Sequence, residues 1–121
     1  YEYEKILNEI LNYHEQECPN SHINKHQIIK GNAIDEVPKY LKNNPQTIIS
    51  MAYFDMDIYK PTAEVLKFIL PYCTKGTLLG FDELNCKIFP GETVALREIL
   101  GTKNIHIRRT PLDPLSAYII L

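Results

Sequence analysis

The chain has 121 residues, of which 45% are hydrophobic, a length and composition that suit one small globular domain. Its net charge of -2 and its scattered basic residues give no electrostatic case for binding nucleic acid or an anionic membrane. Its three cysteines form no CxxC pair, which argues against a zinc ribbon and favours a reducing, cytoplasmic setting. No apolar run approaches the roughly 20 residues of a membrane span.

The first half of the chain is expected to alternate helices and strands. Apolar residues at helical spacing predict an amphipathic helix over residues 1–16. A short strand is predicted over residues 26–30, closed by Gly31, and a helix over residues 34–41. Residues 47–54 are nearly all apolar, which is typical of a parallel strand in a sheet interior, covered on both faces.

The second half continues the alternation and then changes. Helices are predicted over residues 61–72 and 90–100, with a strand over residues 77–81 between them. Residues 104–109 and 116–121 are joined by a proline-containing turn, which indicates an antiparallel pair. The order α-β-α-β-α-β-α-β-β predicts an α/β fold with a mainly parallel sheet and an antiparallel C-terminal strand pair.

Two pairs of acidic residues each follow a predicted strand. Asp55 and Asp57 come directly after one strand, and Asp82 and Glu83 come after the next. If the strands are parallel neighbours, all four acids leave at the carboxyl-end edge, where open α/β folds bind ligands. Clustered carboxylates repel one another and favour a hard cation such as Mg²⁺, Ca²⁺ or Mn²⁺. The alternative is a solvated loop, or Asp57 as the cap of the following helix.

A second candidate is the turn Gly31-Asn32-Ala33, between a predicted strand and a predicted helix. It is either a plain turn with Asn32 capping the helix, or a turn whose backbone lies against a flat cofactor ring. The chain contains no GxG pair, no GxxxxGK[ST] and no GxSxG, so it carries no glycine-rich phosphate cradle and no nucleophile elbow.

Three motifs occur in order: FDMDIYKPT at residues 54–62, GFDEL at 80–84 and FPGETVAL at 89–96. Together they resemble the macrocin-type O-methyltransferases. These are class I S-adenosylmethionine-dependent enzymes that methylate sugar hydroxyls. The resemblance begins near residue 26 and extends to about residue 100, and it implies a Rossmann-like methyltransferase sheet.

The resemblance also implies roles for the acids. Asp55 would bind Mg²⁺ together with Asp82 and Glu83, and Asp57 would be the general base for a sugar or deoxyhexose hydroxyl. Glu83 is a departure, because many members carry a second aspartate there, although its longer side chain can still reach a metal.

The turn Gly31-Asn32-Ala33 would lie by the adenine of S-adenosylmethionine. Such enzymes also have an earlier β-α-β unit with a glycine-rich loop, which this chain lacks. Residues 1–121 are therefore expected to form one partial domain, the C-terminal half of the family's fold. We expect it to be inactive alone, to take a small sugar as its partner, and to self-associate through an exposed sheet edge.

Other functions remain open at this point. A haloacid-dehalogenase-like phosphotransferase would use Asp55 as nucleophile and Asp57 as acid and base, although Tyr59 stands where Thr or Val is expected. A metal-dependent glycosyltransferase is less favoured, since that fold needs a longer chain. The non-enzyme alternative is a half-domain without catalytic activity.

Overall fold

The computed structural model describes residues 2–121, which form two compact units, one ending at Lys30 and the other comprising Gly31–Leu121. No helix among the described residues is long and apolar enough to cross a lipid bilayer.

The first unit consists of helix α1 (Glu2–Glu17) and the chain that follows it, and the predicted N-terminal helix is confirmed. The strand predicted over residues 26–30 is wrong, because these residues form irregular chain that pairs with no strand in the described part of the protein. A strand needs a neighbour to satisfy its backbone groups. Here the Glu15 carboxylate accepts hydrogen bonds from the backbone N–H groups of Lys25 and of His26, the latter at 2.9 Å.

The second unit is a mixed α/β structure around a four-stranded sheet. Its elements in chain order are α2 (Ala33–Asn43), β1 (Ile49–Phe54), α3 (Tyr59–Ile69) with a 3₁₀ turn (Leu70–Tyr72), β2 (Cys73–Phe81), α4 (Gly91–Ile99), β3 (Arg108–Arg109) and β4 (Ala117–Ile120). The strand order is β1-β2-β4-β3. β1 and β2 are parallel, whereas β4 is antiparallel to both β2 and β3. The predicted antiparallel C-terminal pair is confirmed. The expectation of a mainly parallel sheet is wrong for the described strands, because two of their three pairings are antiparallel and only β1 and β2 are parallel.

Strand β1 is less buried than its sequence predicts. It lies at an edge of the described sheet, and Met51 and Tyr53 are 60% and 51% exposed. The expectation of an interior strand covered on both faces is therefore wrong for β1 in this chain. Its last residue, Phe54, is buried at 2% exposure and belongs to the core.

The core lies between the sheet and the helices of the second unit. Leu66 of α3, Leu96 of α4 and Phe81 of β2 are all at most 1% exposed. The rings of Phe54 and Phe81 stack with centroids 5.1 Å apart and an interplanar angle of 9°. This apolar contact fixes the ends of β1 and β2 to each other, immediately before the acidic residues.

Candidate metal and catalytic site

The acidic residues leave the sheet at one edge, as the sequence predicts. Phe54 and Phe81 are register partners at the carboxyl ends of the parallel strands. The backbone N–H of Asp82 donates to the carbonyl oxygen of Phe54 at 3.0 Å, so the pairing extends one residue beyond β2. The backbones of Asp55 and Asp82 consequently leave the sheet side by side, at its carboxyl-end edge.

Three carboxylates converge there, those of Asp55, Asp57 and Glu83. One oxygen from each lies within 4.8 Å of the other two. Asp55 is exposed, whereas Asp57 and Glu83 are half-buried. Oε2 of Glu83 is itself buried and has no hydrogen-bond partner. A buried carboxylate oxygen without a donor fits a position that a cation or a proton would satisfy.

The electrostatics of Glu83 agree with this geometry. Hydrogen bonding to the Asp57 carboxylate, which requires a shared proton, and desolvation raise the pKa of Glu83 from 4.5 to about 7. The neighbouring charges of Asp57, Asp82 and Glu92 act in the same direction. Without a cation, the site therefore holds a proton at a pH where an isolated glutamate is ionised.

Asp57 has an uncommon backbone conformation. Its φ is +58°, and the N–H of Ile58 donates to the carbonyl oxygen of Met56 at 2.5 Å, so the chain makes a three-residue turn centred on Asp57. A positive φ costs free energy for a residue with a side chain. The N-cap of α3 is Ile58, so Asp57 is not the helix cap that the sequence left open. Its carboxylate instead faces those of Asp55 and Glu83, and these three residues are called the acidic cluster below.

Asp82 is placed differently from the other three acids. Its Oδ1 accepts hydrogen bonds from the hydroxyl groups of Tyr53 and, at 3.3 Å, of Ser116. The bond to Asp82 is the main cause that raises the pKa of Tyr53. The structure thus groups Asp57 with Asp55 and Glu83, while a ligand role for Asp82 remains a prediction from the resemblance.

The turn Gly31-Asn32-Ala33 shows the helix cap. Oδ1 of Asn32 accepts from the N–H of Ile34 at 3.2 Å, and Asn32 is the N-cap of α2. Gly31 has φ +152°, and a Cβ there would stand 2.7 Å from Cγ of Glu36, so only glycine suits this position. Contact between the turn and a cofactor remains a prediction.

The start of α4 holds residues that sequence reasoning missed. Glu92 is fully buried, and its carboxylate accepts from the backbone N–H groups of Met56 and Glu83, each at 3.2 Å. Burial raises the pKa of Glu92, and these hydrogen bonds oppose that rise. The available signal is the PGET motif at residues 90–93, which the sequence indicates as a helix start and as part of the resemblance but not as a contact to the acids.

No family model matches the chain, and no curated protein matches it. Solved structures do match it, and two of them are structures of CalS11. The apo structure of CalS11, a TDP-rhamnose 3′-O-methyltransferase and an enzyme in calicheamicin biosynthesis, has a TM-score of 0.89 and 41% sequence identity, covering 98% of this chain and 51% of that one. A structure described as CalS11, calicheamicin methyltransferase, has the same TM-score and identity, covering 98% of this chain and 46% of that one.

The chain thus spans about half the length of these two structures. Identity at this level favours a methyltransferase over the phosphotransferase and glycosyltransferase alternatives. The resemblance to the sugar O-methyltransferases, which the three motifs indicate, is confirmed for about half of such an enzyme.

Proposed function

We propose that the chain is the metal-binding and base-carrying half of an S-adenosylmethionine-dependent, Mg²⁺-assisted O-methyltransferase that acts on a sugar or deoxyhexose hydroxyl. The observation that carries the proposal is the convergence of Asp55, Asp57 and Glu83 within 4.8 Å, in a chain 41% identical to a sugar O-methyltransferase. The Rossmann-like identity of the sheet is part of the proposal, supported by the parallel pair β1 and β2.

The donor set fits a hard divalent cation. All the converging atoms are carboxylate oxygens, which Mg²⁺ and Mn²⁺ prefer, and the unpartnered Oε2 of Glu83 lacks any other donor. Asp55 and Glu83 would hold the ion, with Asp82 joining them on the basis of the resemblance. Bound Mg²⁺ would supply Lewis-acid chemistry, lowering the pKa of a coordinated hydroxyl.

Asp57 is the proposed general base. It lies within the acidic cluster and its carboxylate does not cap α3, so it is available to accept the proton of an acceptor hydroxyl. S-adenosylmethionine would supply the methyl group. The contribution of this chain is then to orient the hydroxyl and to remove its proton at Oδ of Asp57.

The cofactor contact proposed here is the backbone of the Gly31-Asn32-Ala33 turn. The side chain of Asn32 caps α2 and is therefore not available to the cofactor. The backbone at Gly31 would be the part of the turn that lies against an adenine ring. Since the chain has no glycine-rich loop, we expect cofactor affinity and methyl transfer by this chain alone to be very low.

The first test is calorimetric titration of the metal-free chain with Mn²⁺ and Mg²⁺. We expect one site, with affinity reduced about 10-fold or more in Asp55→Asn and in Glu83→Gln, since each removes a ligand charge. The matched controls are Asp35→Asn on α2 and Glu64→Gln on α3, which should bind normally. Equal binding in all five proteins, or none in any, would contradict the metal site.

The second test is methyl transfer to TDP-rhamnose, the acceptor named for CalS11. The chain alone should give negligible product while still binding metal. Turnover on the order of 1 s⁻¹ or more, as in ordinary enzymes, would contradict the expected inactivity.

A further inference from the structure

The PGET motif (residues 90–93) has no role in the proposed reaction. Its residues nevertheless contact both loops that carry the acids, namely the loop after β1 and the loop after β2. We propose that Glu92 is a positioning residue that fixes the separation of these two loops, and so makes Asp55, Asp57 and Glu83 converge. The expected effect of Glu92 on metal binding rests on the proposed metal site. The hydrogen bonds by which Glu92 joins the two loops do not depend on that site.

Glu92 uses each carboxylate oxygen for a different loop. Oε1 accepts from the N–H of Met56, between Asp55 and Asp57, and Oε2 accepts from the N–H of Glu83. Both bonds reach the main chain beside the cluster residues, and the two donors are separated along the chain by α3 and β2. A single rigid carboxylate therefore sets the spacing between the loops.

The position of Glu92 depends on the residue before it. A Cβ on Gly91 would stand 2.5 Å from the carbonyl oxygen of Asp57 and would also collide with the backbone nitrogen of Tyr59. Only a residue without a side chain lets the first turn of α4 lie directly against the Asp57 turn. Gly91 thus brings α4 close enough for Glu92 to reach the N–H of Met56.

The residue after Glu92 contacts one loop only. Oγ1 of Thr93 accepts from the N–H of Asn85 at 2.7 Å, in the loop that follows β2. Thr93 therefore secures that loop to α4 but makes no bond to the Asp57 turn. This difference gives a matched control on the same helix.

A general contribution to packing does not explain Glu92. A fully buried carboxylate loses its hydration, whereas an apolar residue of similar size would fill the same space without that cost. The acceptors that Glu92 provides are directed to the two backbone N–H groups next to the cluster. This arrangement is that of a residue which orients metal ligands through the backbone.

The test compares Glu92→Gln with Thr93→Val in the metal-free chain, by NMR hydrogen exchange. A glutamine offers one oxygen and one NH₂ group, so it can satisfy only one of the two N–H donors. We expect the amide of Met56 or of Glu83, whichever loses its acceptor, to exchange about 10-fold faster, with the Asn85 amide unchanged. Thr93→Val should accelerate hydrogen exchange of the Asn85 amide alone.

The same variants are then titrated with Mn²⁺. Glu92→Gln should weaken binding about 10- to 100-fold, and Thr93→Val should change it little. A third variant, Leu96→Ala on the same helix, lowers stability by opening the core and should leave the affinity of the folded protein unchanged. Normal affinity in Glu92→Gln, or an equal loss in Leu96→Ala, would overturn the positioning role.

Two further outcomes are decisive. If Glu92→Gln does not fold, hydrogen exchange in the unaltered chain tests the positioning role instead. Slow exchange of the Met56 and Glu83 amides supports the proposal, and exchange at the rates of an unfolded chain overturns it. If the unaltered chain binds no Mn²⁺, the proposed metal site fails, while the exchange data still decide whether Glu92 joins the loops.

Discussion

The ring of Tyr53 on β1 lies across Gly80 on β2. A Cβ on Gly80 would stand 2.6 Å from Cδ2 of the ring, and the two residues are register partners. Because Gly80 has no side chain, the ring can cross β2 and its hydroxyl can donate to Asp82. Gly80 thereby helps to hold one of the four acids at the sheet edge.

Gly80→Ala should displace this ring and destabilise the chain by about 1–3 kcal/mol, because the added methyl group overlaps the ring. In a Tyr53→Ala background the same substitution should cost much less, since the overlap is absent. Urea unfolding of the four proteins measures the difference as a double-mutant cycle. Equal costs in both backgrounds would show that the ring does not constrain position 80.

Phe81→Ala should lower the free energy of unfolding by about 3–5 kcal/mol, because it empties a fully buried site and removes the stack on Phe54. Phe89→Ala is the matched control, since Phe89 is 40% exposed, and it should cost about 1 kcal/mol or less. Thermal or urea unfolding compares the two. Similar losses would contradict the placement of Phe81 at the centre of the core.

The stability of the metal-free chain should depend on Glu83 and on pH. The folded pKa of Glu83, about 7, lies above its ordinary value of 4.5, so the folded state binds more protons between these values. This contribution to stability is therefore present below about pH 4.5 and is lost as the pH rises through about 7.

Urea unfolding in a chelator, from about pH 5 to about pH 8, tests this expectation. Glu83→Gln should remove part of the decline with pH, and Glu64→Gln should not. A Glu83→Gln chain with the same pH dependence as the unaltered one would contradict the raised pKa.

Asp57→Gly should raise the free energy of unfolding of the metal-free chain by about 0.5–1 kcal/mol. Glycine accepts the positive φ at position 57 without strain, and the substitution also removes one repelling carboxylate. Asp55→Gly, at a position without positive φ, serves as the control and should not stabilise to this extent. We expect the stabilised Asp57→Gly chain to lose its proposed base.

The exposed edge strand predicts self-association. β1 has a partner on one side only within the described sheet, and an unpaired apolar edge can pair with a second copy. Met51→Lys places a charge on this exposed strand and should shift the chain toward monomer. Sedimentation across a concentration series measures the change, and a strict monomer at high micromolar concentration in the unaltered chain would contradict association.

The position of the acids was predictable because it depends on a local pattern. An apolar strand followed by two acids occurs twice, and parallel pairing then brings Asp55 and Asp82 to one edge. The C-terminal antiparallel pair was predictable for a similar reason, since its two segments are joined by a short turn.

Other features depend on contacts between distant residues. Asp82 is drawn to Tyr53 and Ser116, which requires the ring to cross β2 at Gly80. The role of Glu92 depends on burial against two loops, and PGET by itself is an ordinary helix start. Residues 26–30 have strand-like composition, but a strand requires a partner that no local pattern specifies.

The stacked phenylalanines, the acids and the residue that joins their loops all lie between Phe54 and Thr93. One uninterrupted stretch of chain therefore carries the acids, the phenylalanine stack and the Glu92 bonds that join the two loops, whereas Tyr53 and Ser116, which bind Asp82, lie outside it. In a recombined gene, such a stretch could be inherited as a block without separating Glu92 from the carboxylates that it organises. Exchange of this stretch between homologous enzymes should accordingly transfer the geometry of the acidic site, whereas a crossover between Glu83 and Glu92 should divide it.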